Sequence, residues 1–145
     1  MATGIQVVID CSDPAKLAAF WAEALHYKVQ DPPDGFASWP DWLEAHGIPE
    51  SEWNSANAVV DPDGAGPRIY FQRVPEEKAV KNRVHLDLNV GGPKATTPDD
   101  ERRRRIDAEV ERLVVLGADK LQSRDVRGEY FVNLVDPEGN EFDVQ

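Results

Sequence analysis

The sequence contains little sulfur. Cys11 is the only cysteine among 145 residues, so no disulfide can form within the chain. This residue ends a segment that alternates apolar and polar side chains, which favours a buried, inert thiol over a reactive one. A chain without disulfides is typical of a reducing compartment, and we therefore expect a cytoplasmic location.

Long apolar runs are also missing. No stretch approaches the roughly 18 consecutive apolar residues that a membrane-spanning helix needs. The first six residues lack a basic region followed by an apolar run, so we expect neither a secretion signal nor a membrane partner. With 41% apolar residues, the chain can bury one core of ordinary size. We expect a single domain over residues 1–145.

Positive charge is scarce, because 16 Lys and Arg residues stand against 27 Asp and Glu residues and leave a formal net charge of −11. One basic run, Arg102 to Arg105, lies among acidic residues, as expected for the solvated face of a mixed-charge helix. Binding to nucleic acid requires a concentrated basic surface. We therefore expect no nucleic-acid partner.

The first half of the chain begins with a strand and a helix. Residues Ile5 to Cys11 alternate apolar and polar side chains, which predicts a strand. The helix begins at Asp13-Pro14, where Asp13 or Ser12 can cap it and proline needs no amide donor. Short strands are predicted at residues 27–30, 57–60 and 68–74. The Pro- and Trp-rich segment 31–55 is predicted to be an insertion with one helix from Pro40 to His46.

The second half repeats this order. Val84 to Val90 alternates apolar and polar residues most clearly, which predicts a strand with one core face. Thr97-Pro98 predicts the cap of a helix that ends at Gly117. Strands are predicted at residues 120–124, 130–135 and 141–145.

One turn motif occurs in both halves. Val60-Asp61-Pro62-Asp63-Gly64 recurs 75 residues later as Val135-Asp136-Pro137-Glu138-Gly139. The repeat predicts an α+β fold of two βαβββ modules, residues 5–74 with the insertion 31–55 and residues 84–145. Two such curved mixed sheets can enclose a cavity. Its predicted lining is Gln6, Val8, Asp10, Tyr70, Gln72, His85, Asp87, Asn89, Glu141 and Asp143.

The paired βαβββ modules, Asp13-Pro14 with Phe20-Trp21, and Asp136-Pro137-Glu138-Gly139-Asn140 resemble the vicinal oxygen chelate (VOC) superfamily, which includes glyoxalase and bleomycin-resistance proteins. The resemblance covers nearly the whole chain. The stretches 69–76 and 81–88 further resemble its bacterial "glyoxalase-like domain" branch. The fold that this resemblance implies agrees with the fold that the repeat predicts.

The resemblance also implies a metal site. In metal-dependent members, four ligands come from the first and fourth strands of each half, and the matching positions here are Gln6, Gln72, His85 and Asp143. The glyoxalase pattern has a carboxylate where Gln72 stands, and an amide oxygen is a weak neutral ligand. The expected cofactor is therefore a weakly bound divalent metal (Zn, Ni, Mn or Fe), or none.

Other roles remain open for these side chains. His85 beside Asp143 can instead act as a general base, or make only structural hydrogen bonds. Tyr70 and Asp87 are expected to contact the ligand. Trp39, Trp42 and Trp53 can either stack on a flat ligand at the mouth of the cavity or anchor the insertion to the domain.

Three functions fit the sequence. The first is a glyoxalase-like enzyme in which a metal, or His85 with Asp143, assists proton transfer or isomerisation of a small organic substrate. The second is a bleomycin-resistance-type protein that sequesters a drug or metabolite without chemistry. The third is a degenerate module whose pocket no longer functions. The fold also permits halves to pair or exchange between chains, so a homodimer is one expected assembly.

Overall fold

The computed structural model describes all 145 residues and has the predicted α+β fold. The chain forms two compact units, Met1–Glu77 and Lys78–Gln145. Their boundary falls in the charged segment that separates the two predicted modules. None of the three α-helices is both long and apolar enough to cross a membrane.

The first unit contains one mixed sheet with strand order β1-β4-β3-β2. Strand β1 (Val7–Cys11) runs parallel to β4 (Ile69–Arg73), while β3 (Ala56–Val60) is antiparallel to both β4 and the short β2 (Lys28–Val29). Helix α1 (Pro14–Leu25) connects β1 to β2. The insertion between β2 and β3 carries helix α2 (Trp39–Ala45) and a 3₁₀ turn (Glu50–Glu52).

The second unit repeats this topology, with strand order β5-β8-β7-β6. Strand β5 (Asp87–Leu88) runs parallel to β8 (Glu141–Val144), and β7 (Glu129–Val135) is antiparallel to both β8 and β6 (Asp119–Val126). Helix α3 (Asp99–Leu116) connects β5 to β6. Each sheet therefore has its first and fourth strands side by side, as the repeat requires.

Each unit buries the apolar face of its sheet under its long helix. Trp21 and Leu17 of α1 are almost completely buried, as are Val59 and Phe71 of the first sheet. In the second unit, α3 supplies the buried residues Ile106, Val110 and Leu113, and the sheet supplies Val132, Leu134, Phe142 and Val144. Burial of one large apolar side chain stabilises a fold by about 1.5–3 kcal/mol. The opposite, polar face of each sheet is left for other roles.

The repeated turn has the same hydrogen bonds in both units. Asp61 Oδ1 accepts from the amide of Asp63 at 2.9 Å, and Asp136 Oδ1 accepts from the amide of Glu138 at 2.9 Å. Gly64 and Gly139 each follow the turn aspartate by three residues, and their φ angles are positive, 70° and 85°. The aspartate is needed to hold the loop, and the glycine is needed because other residues rarely adopt this conformation.

Two sequence-based predictions of secondary structure were wrong in detail. The strand predicted over Val84 to Val90 is reduced to Asp87–Leu88, since only this part pairs with β8, and Val84 is 81% exposed. The third helix has Pro98 rather than Thr97 at its N-cap position and no side-chain cap. Three acidic residues in its first turn, Asp99, Asp100 and Glu101, favourably face the positive end of the helix dipole instead.

Candidate functional site

Three ionisable side chains converge on the polar face of the second sheet. His85 Nε2 lies 3.2 Å from Asp87 Oδ1 and 3.5 Å from Asp143 Oδ2. The potential ligand atoms of all three residues lie within 4.8 Å of one another. The geometry follows from the sheet, because Asp87 and Asp143 are direct partners in the parallel β5–β8 pair and His85 precedes Asp87 by two residues on the same face.

Asp143 is the most fixed member of this cluster. Its side chain is 16% exposed, against 40% for His85 and 41% for Asp87. Asn133 lies opposite Asp143 on β7 and donates from Nδ2 to Asp143 Oδ1 at 2.5 Å. The other carboxylate oxygen, Oδ2, is the one that faces His85. Asn133 therefore orients Asp143 toward the cluster.

Further polar groups extend along the same face. Gln145 donates from Nε2 to Asn89 Oδ1 at 2.9 Å, two residues beyond Asp143 and Asp87. Two residues before Asp143, Glu141 accepts from the amide of Asn82 at 2.9 Å and lies 3.2 Å from Lys78 Nζ. Burial alone would raise the pKa of Glu141, but these hydrogen bonds and the Lys78 charge lower it overall. Through these contacts, Glu141 fixes the position of the segment from Lys78 to Asn82.

The predicted site residues Gln6, Tyr70 and Gln72 lie along the polar face of the first sheet, with Gln6 directly before β1. Gln6 Oε1 accepts from Arg68 Nη1 at 2.8 Å, and the Arg68 guanidinium carbon lies 5.2 Å from the centre of the Tyr70 ring. Gln72 is opposite Asp10 in the β1–β4 pair. Gln6 and Gln72 are thus four positions apart along neighbouring strands, about 13 Å at the usual rise of a strand. Within this sheet they do not form a pair like that of His85 and Asp143.

The sheet registers correct the sequence-based alignment of Gln72 with Asp143. When the repeated turns are superposed, Ala58 of β3 corresponds to Asn133 of β7. Ala58 pairs with Tyr70, and Asn133 pairs with Asp143. The counterpart of Asp143 is therefore Tyr70, and by the same argument Gln72 corresponds to Gln145.

The three tryptophans of the insertion contact residues in it or directly before it. Trp39 donates from Nε1 to the carbonyl of Gln30 at 2.7 Å, and Trp53 donates to the carbonyl of Ile48 at 2.9 Å. Trp42 stacks on the His46 ring with centroids 4.1 Å apart. The bond to Gln30 supports the anchoring role for Trp39, whereas Trp53 and Trp42 make their contacts inside the insertion. Ligand contact by the tryptophans, and by Gln6, Tyr70 and Gln72, stays a prediction.

Sequence reasoning missed the support from Asn133 and did not count Asp87 among the metal ligands. A polar residue within the otherwise apolar β7 run was the available signal for Asn133. For Asp87, the signal was its position two residues after His85, which places both side chains on one face. With Asp87 included, the cluster offers one imidazole and two carboxylates.

Comparisons with known proteins agree with the fold and the repeat. The glyoxalase-like domain family matches residues 6–145. No curated protein sequence matches the chain.

Solved structures with the same fold cover nearly the whole chain. The fosfomycin resistance protein FosX from Listeria monocytogenes, solved as a mutant with Mn(II) and 1S,2S-dihydroxypropylphosphonic acid, has a TM-score of 0.61 and 16% identity over 100% of this chain and 90% of that one. A glyoxalase/bleomycin resistance protein/dioxygenase family enzyme from Burkholderia phytofirmans has a TM-score of 0.60 and 15% identity, over 96% and 94% of the two chains. A possible glyoxalase from Bacillus cereus has a TM-score of 0.60 and 14% identity, over 99% of both. The chain belongs to the glyoxalase-like domain family.

Proposed function

We propose that this protein is a cytoplasmic, metal-dependent enzyme of glyoxalase type that moves a proton next to the carbonyl oxygen of a small organic substrate. The observation that carries the proposal is the convergence of His85 Nε2 with carboxylate oxygens of Asp87 and Asp143. Mn(II) in the solved FosX structure supports the choice of a metal within this fold.

The chemistry of the cluster fits a divalent ion. Two carboxylates compensate the charge of such an ion, and a mixed set of one imidazole nitrogen and carboxylate oxygens suits Mn²⁺, Fe²⁺ or Zn²⁺. The set differs from the two histidines and one carboxylate of non-haem iron oxygenases, which makes oxygen chemistry a poorer fit. When bound, the metal would act as a Lewis acid toward a substrate oxygen.

The protein's own groups divide the remaining work. Asn133 holds Asp143 Oδ1, so this carboxylate is positioned before any substrate arrives. Asp87 is more exposed than Asp143. We assign proton acceptance at the substrate carbon to the accessible carboxylate oxygens of this cluster, while His85 Nε2 would serve as the nitrogen ligand of the ion.

The first test is metal binding. The metal-free protein is titrated with Mn²⁺, and the electron paramagnetic resonance signal of the free ion measures how much remains unbound. The titration should show one binding site per chain. Asp143→Asn keeps the shape of the side chain but removes its charge. It should weaken Mn²⁺ binding by more than about 100-fold, which exceeds the roughly 10- to 100-fold loss expected when only a residue that supports a ligand is removed. Asp119→Asn, an exposed acid of the same unit, is the matched control. Equal affinity in all three proteins would contradict the proposed site.

The second test is proton transfer. Wild-type protein with Mn²⁺ should catalyse exchange of the C–H hydrogen next to the carbonyl of small α-hydroxy carbonyl compounds with deuterium from the solvent, as read by proton NMR. Asp87→Asn and Asp143→Asn should lower the rate by roughly 10²- to 10⁴-fold, the usual contribution of a positioned acid or base. Tight metal and ligand binding with no exchange in any compound would instead favour a sequestration protein.

A further inference from the structure

The second unit contains a cavity of about 500 Å³ that the proposed chemistry does not use. It is lined by Asn89, Gly92, Pro93, Lys94, Arg102, Glu129 and Gln145. Asn89 and Gln145 lie two residues beyond Asp87 and Asp143 on the same sheet face, a distance of about 7 Å along a strand. The cavity is therefore a neighbour of the His85 cluster within one unit.

Arg102 differs from the other members of its basic run. Arg103 pairs with Asp125, and both Arg104 and Arg105 pair with Glu101. Arg102 instead donates from Nη1 to the carbonyl of Gly92 and lines the cavity. Since a guanidinium has five N–H donors in a planar fork, this bond leaves donors available for a ligand.

The chain next to Arg102 leaves room for its guanidinium. A β-carbon added to the buried Gly91 would lie 3.3 Å from Arg102 Cζ, tighter than most such contacts. At Gly92, whose φ is 88°, an added β-carbon would lie 2.7 Å from a guanidinium nitrogen of Arg105. The Gly91-Gly92 pair thus permits two arginine side chains to pack close to the backbone, with Arg102 on the cavity side.

The lining carries more positive than negative charge, in contrast to the chain as a whole. Lys94 and Arg102 face one carboxylate, that of Glu129, with which Lys94 forms an ion pair. The hydrogen bond from Lys94, and the charges of Lys94 and Arg102, lower the pKa of Glu129, so this acid is ionised at neutral pH. Two positive charges against one negative charge give the lining residues a net charge of +1.

We propose that this cavity binds the anionic group, a carboxylate or a phosphate-type group, of the enzyme's substrate, with Arg102 as the principal contact and Lys94 as the second. This inference rests on the proposed function, because it places the anionic group a few bonds away from the oxygen that reaches the His85 cluster. It restricts the substrate class to small acids. A planar guanidinium binds two oxygens of one such group at once, which also fixes the orientation of the substrate.

Calorimetric titration of the Mn²⁺-loaded protein with inorganic phosphate and, separately, malonate tests the proposal. Wild type should bind at least one of them, and Arg102→Gln should lose at least tenfold in affinity. Arg104→Gln removes an equal charge from an exposed, paired position of the same helix and should bind like wild type. Unchanged secondary structure and unchanged Mn²⁺ affinity in both variants show that neither the fold nor the metal site has been altered.

The outcomes separate this inference from the proposed function. The anion site is overturned if wild type binds neither anion, or if Arg102→Gln and Arg104→Gln lose the same anion affinity. The proposed function stands in both cases as long as the protein binds Mn²⁺. Failure of Mn²⁺ binding removes the proposed function. Anion binding that depends on Arg102 in metal-free protein would still support the cavity as an anion site.

Discussion

At the residue scale, the hydrogen bond between Asn133 and Asp143 connects folding to chemistry. The two residues are partners in the β7–β8 pair, so the bond forms as a result of sheet pairing. Supporting bonds of this kind fix the orientation of a ligand and its basicity. The site therefore depends on a residue that has no chemical role of its own.

The change Asn133→Ala should lower Mn²⁺ affinity by roughly 10- to 100-fold while Asp143 itself is retained, because the carboxylate loses its fixed orientation. Mn²⁺ titration of this variant beside wild type checks the prediction. Full wild-type affinity in Asn133→Ala would show that β8 alone positions Asp143.

At the element scale, sequence patterns predicted which face of each strand is polar but not the position along the strand. Tyr70 rather than Gln72 corresponds to Asp143 because the loop from Ala65 to Arg68 lengthens the first hairpin by only two residues. An error of two residues keeps every side chain on its predicted face, since alternation has a period of two. Strand pairing partners set the position, and these partners are distant in sequence.

Helix and turn signals were more reliable than register because they are local. Asp13, Pro14 and Gly117 bound their helices as predicted. Prediction of the His85, Asp87 and Asp143 cluster required knowledge of the β5–β8 pairing, which joins residues more than 50 positions apart along the chain. The sequence could therefore place His85 and Asp87 on one face, and the repeat placed Asp143 in the same cavity lining, but only the resemblance to a family joined Asp143 to His85 as a ligand.

The start of α1 provides a pH-dependent prediction. Asp13 Oδ1 accepts from Asn54 Nδ2 at 2.8 Å and from the amide of Lys16 at 3.2 Å, and these bonds lower the pKa of Asp13 below its usual 3.8. Replacement of a capping aspartate by alanine costs about 1 kcal/mol of stability. Asp13→Ala should therefore lower the free energy of unfolding by about that amount at pH 7.

The sign of the pH effect follows from the direction of the shift. A lowered pKa in the folded state stabilises the fold above the unfolded pKa, and this contribution is lost as the pH falls through the lowered folded value. Wild type and Asp13→Ala should thus differ most at neutral pH and converge below about pH 3.8. Urea unfolding of both proteins, with Asp34→Ala as an exposed control, measures the difference. A constant difference down to low pH would assign the loss to packing rather than to the charged cap.

At the scale of the whole molecule, the net charge of −11 disfavours anions in general, whereas the cavity lined by Lys94 and Arg102 carries more positive than negative charge. The same charge attracts cations, and the His85 cluster adds two carboxylates at one point. If both proposals hold, the second unit binds a metal and an acidic group at separate places.

Metal binding should also stabilise the folded chain, because the ligands come together only when β5 and β8 pair. A ligand at 100 times its dissociation constant stabilises the folded state by about 2.7 kcal/mol. For a chain of this size, that corresponds to a rise in the unfolding midpoint of roughly 5–10 °C. Thermal unfolding with Mn²⁺, then with a chelator in excess, should show the rise and its reversal. Asp143→Asn should show neither, and an equal rise in that variant would locate the ion elsewhere.

The correspondence between the two sheets has one more consequence. Val8 and Tyr70 occupy in the first sheet the positions that Asp87 and Asp143 occupy in the second, while both turns keep the same aspartate and both apolar faces stay buried. Residues that specify folding and residues that supply reactivity are thus different sets in this architecture. A module can lack the potential metal ligands and still keep its fold. Substitutions on one face of a strand can therefore change the chemistry of a module without disturbing its core.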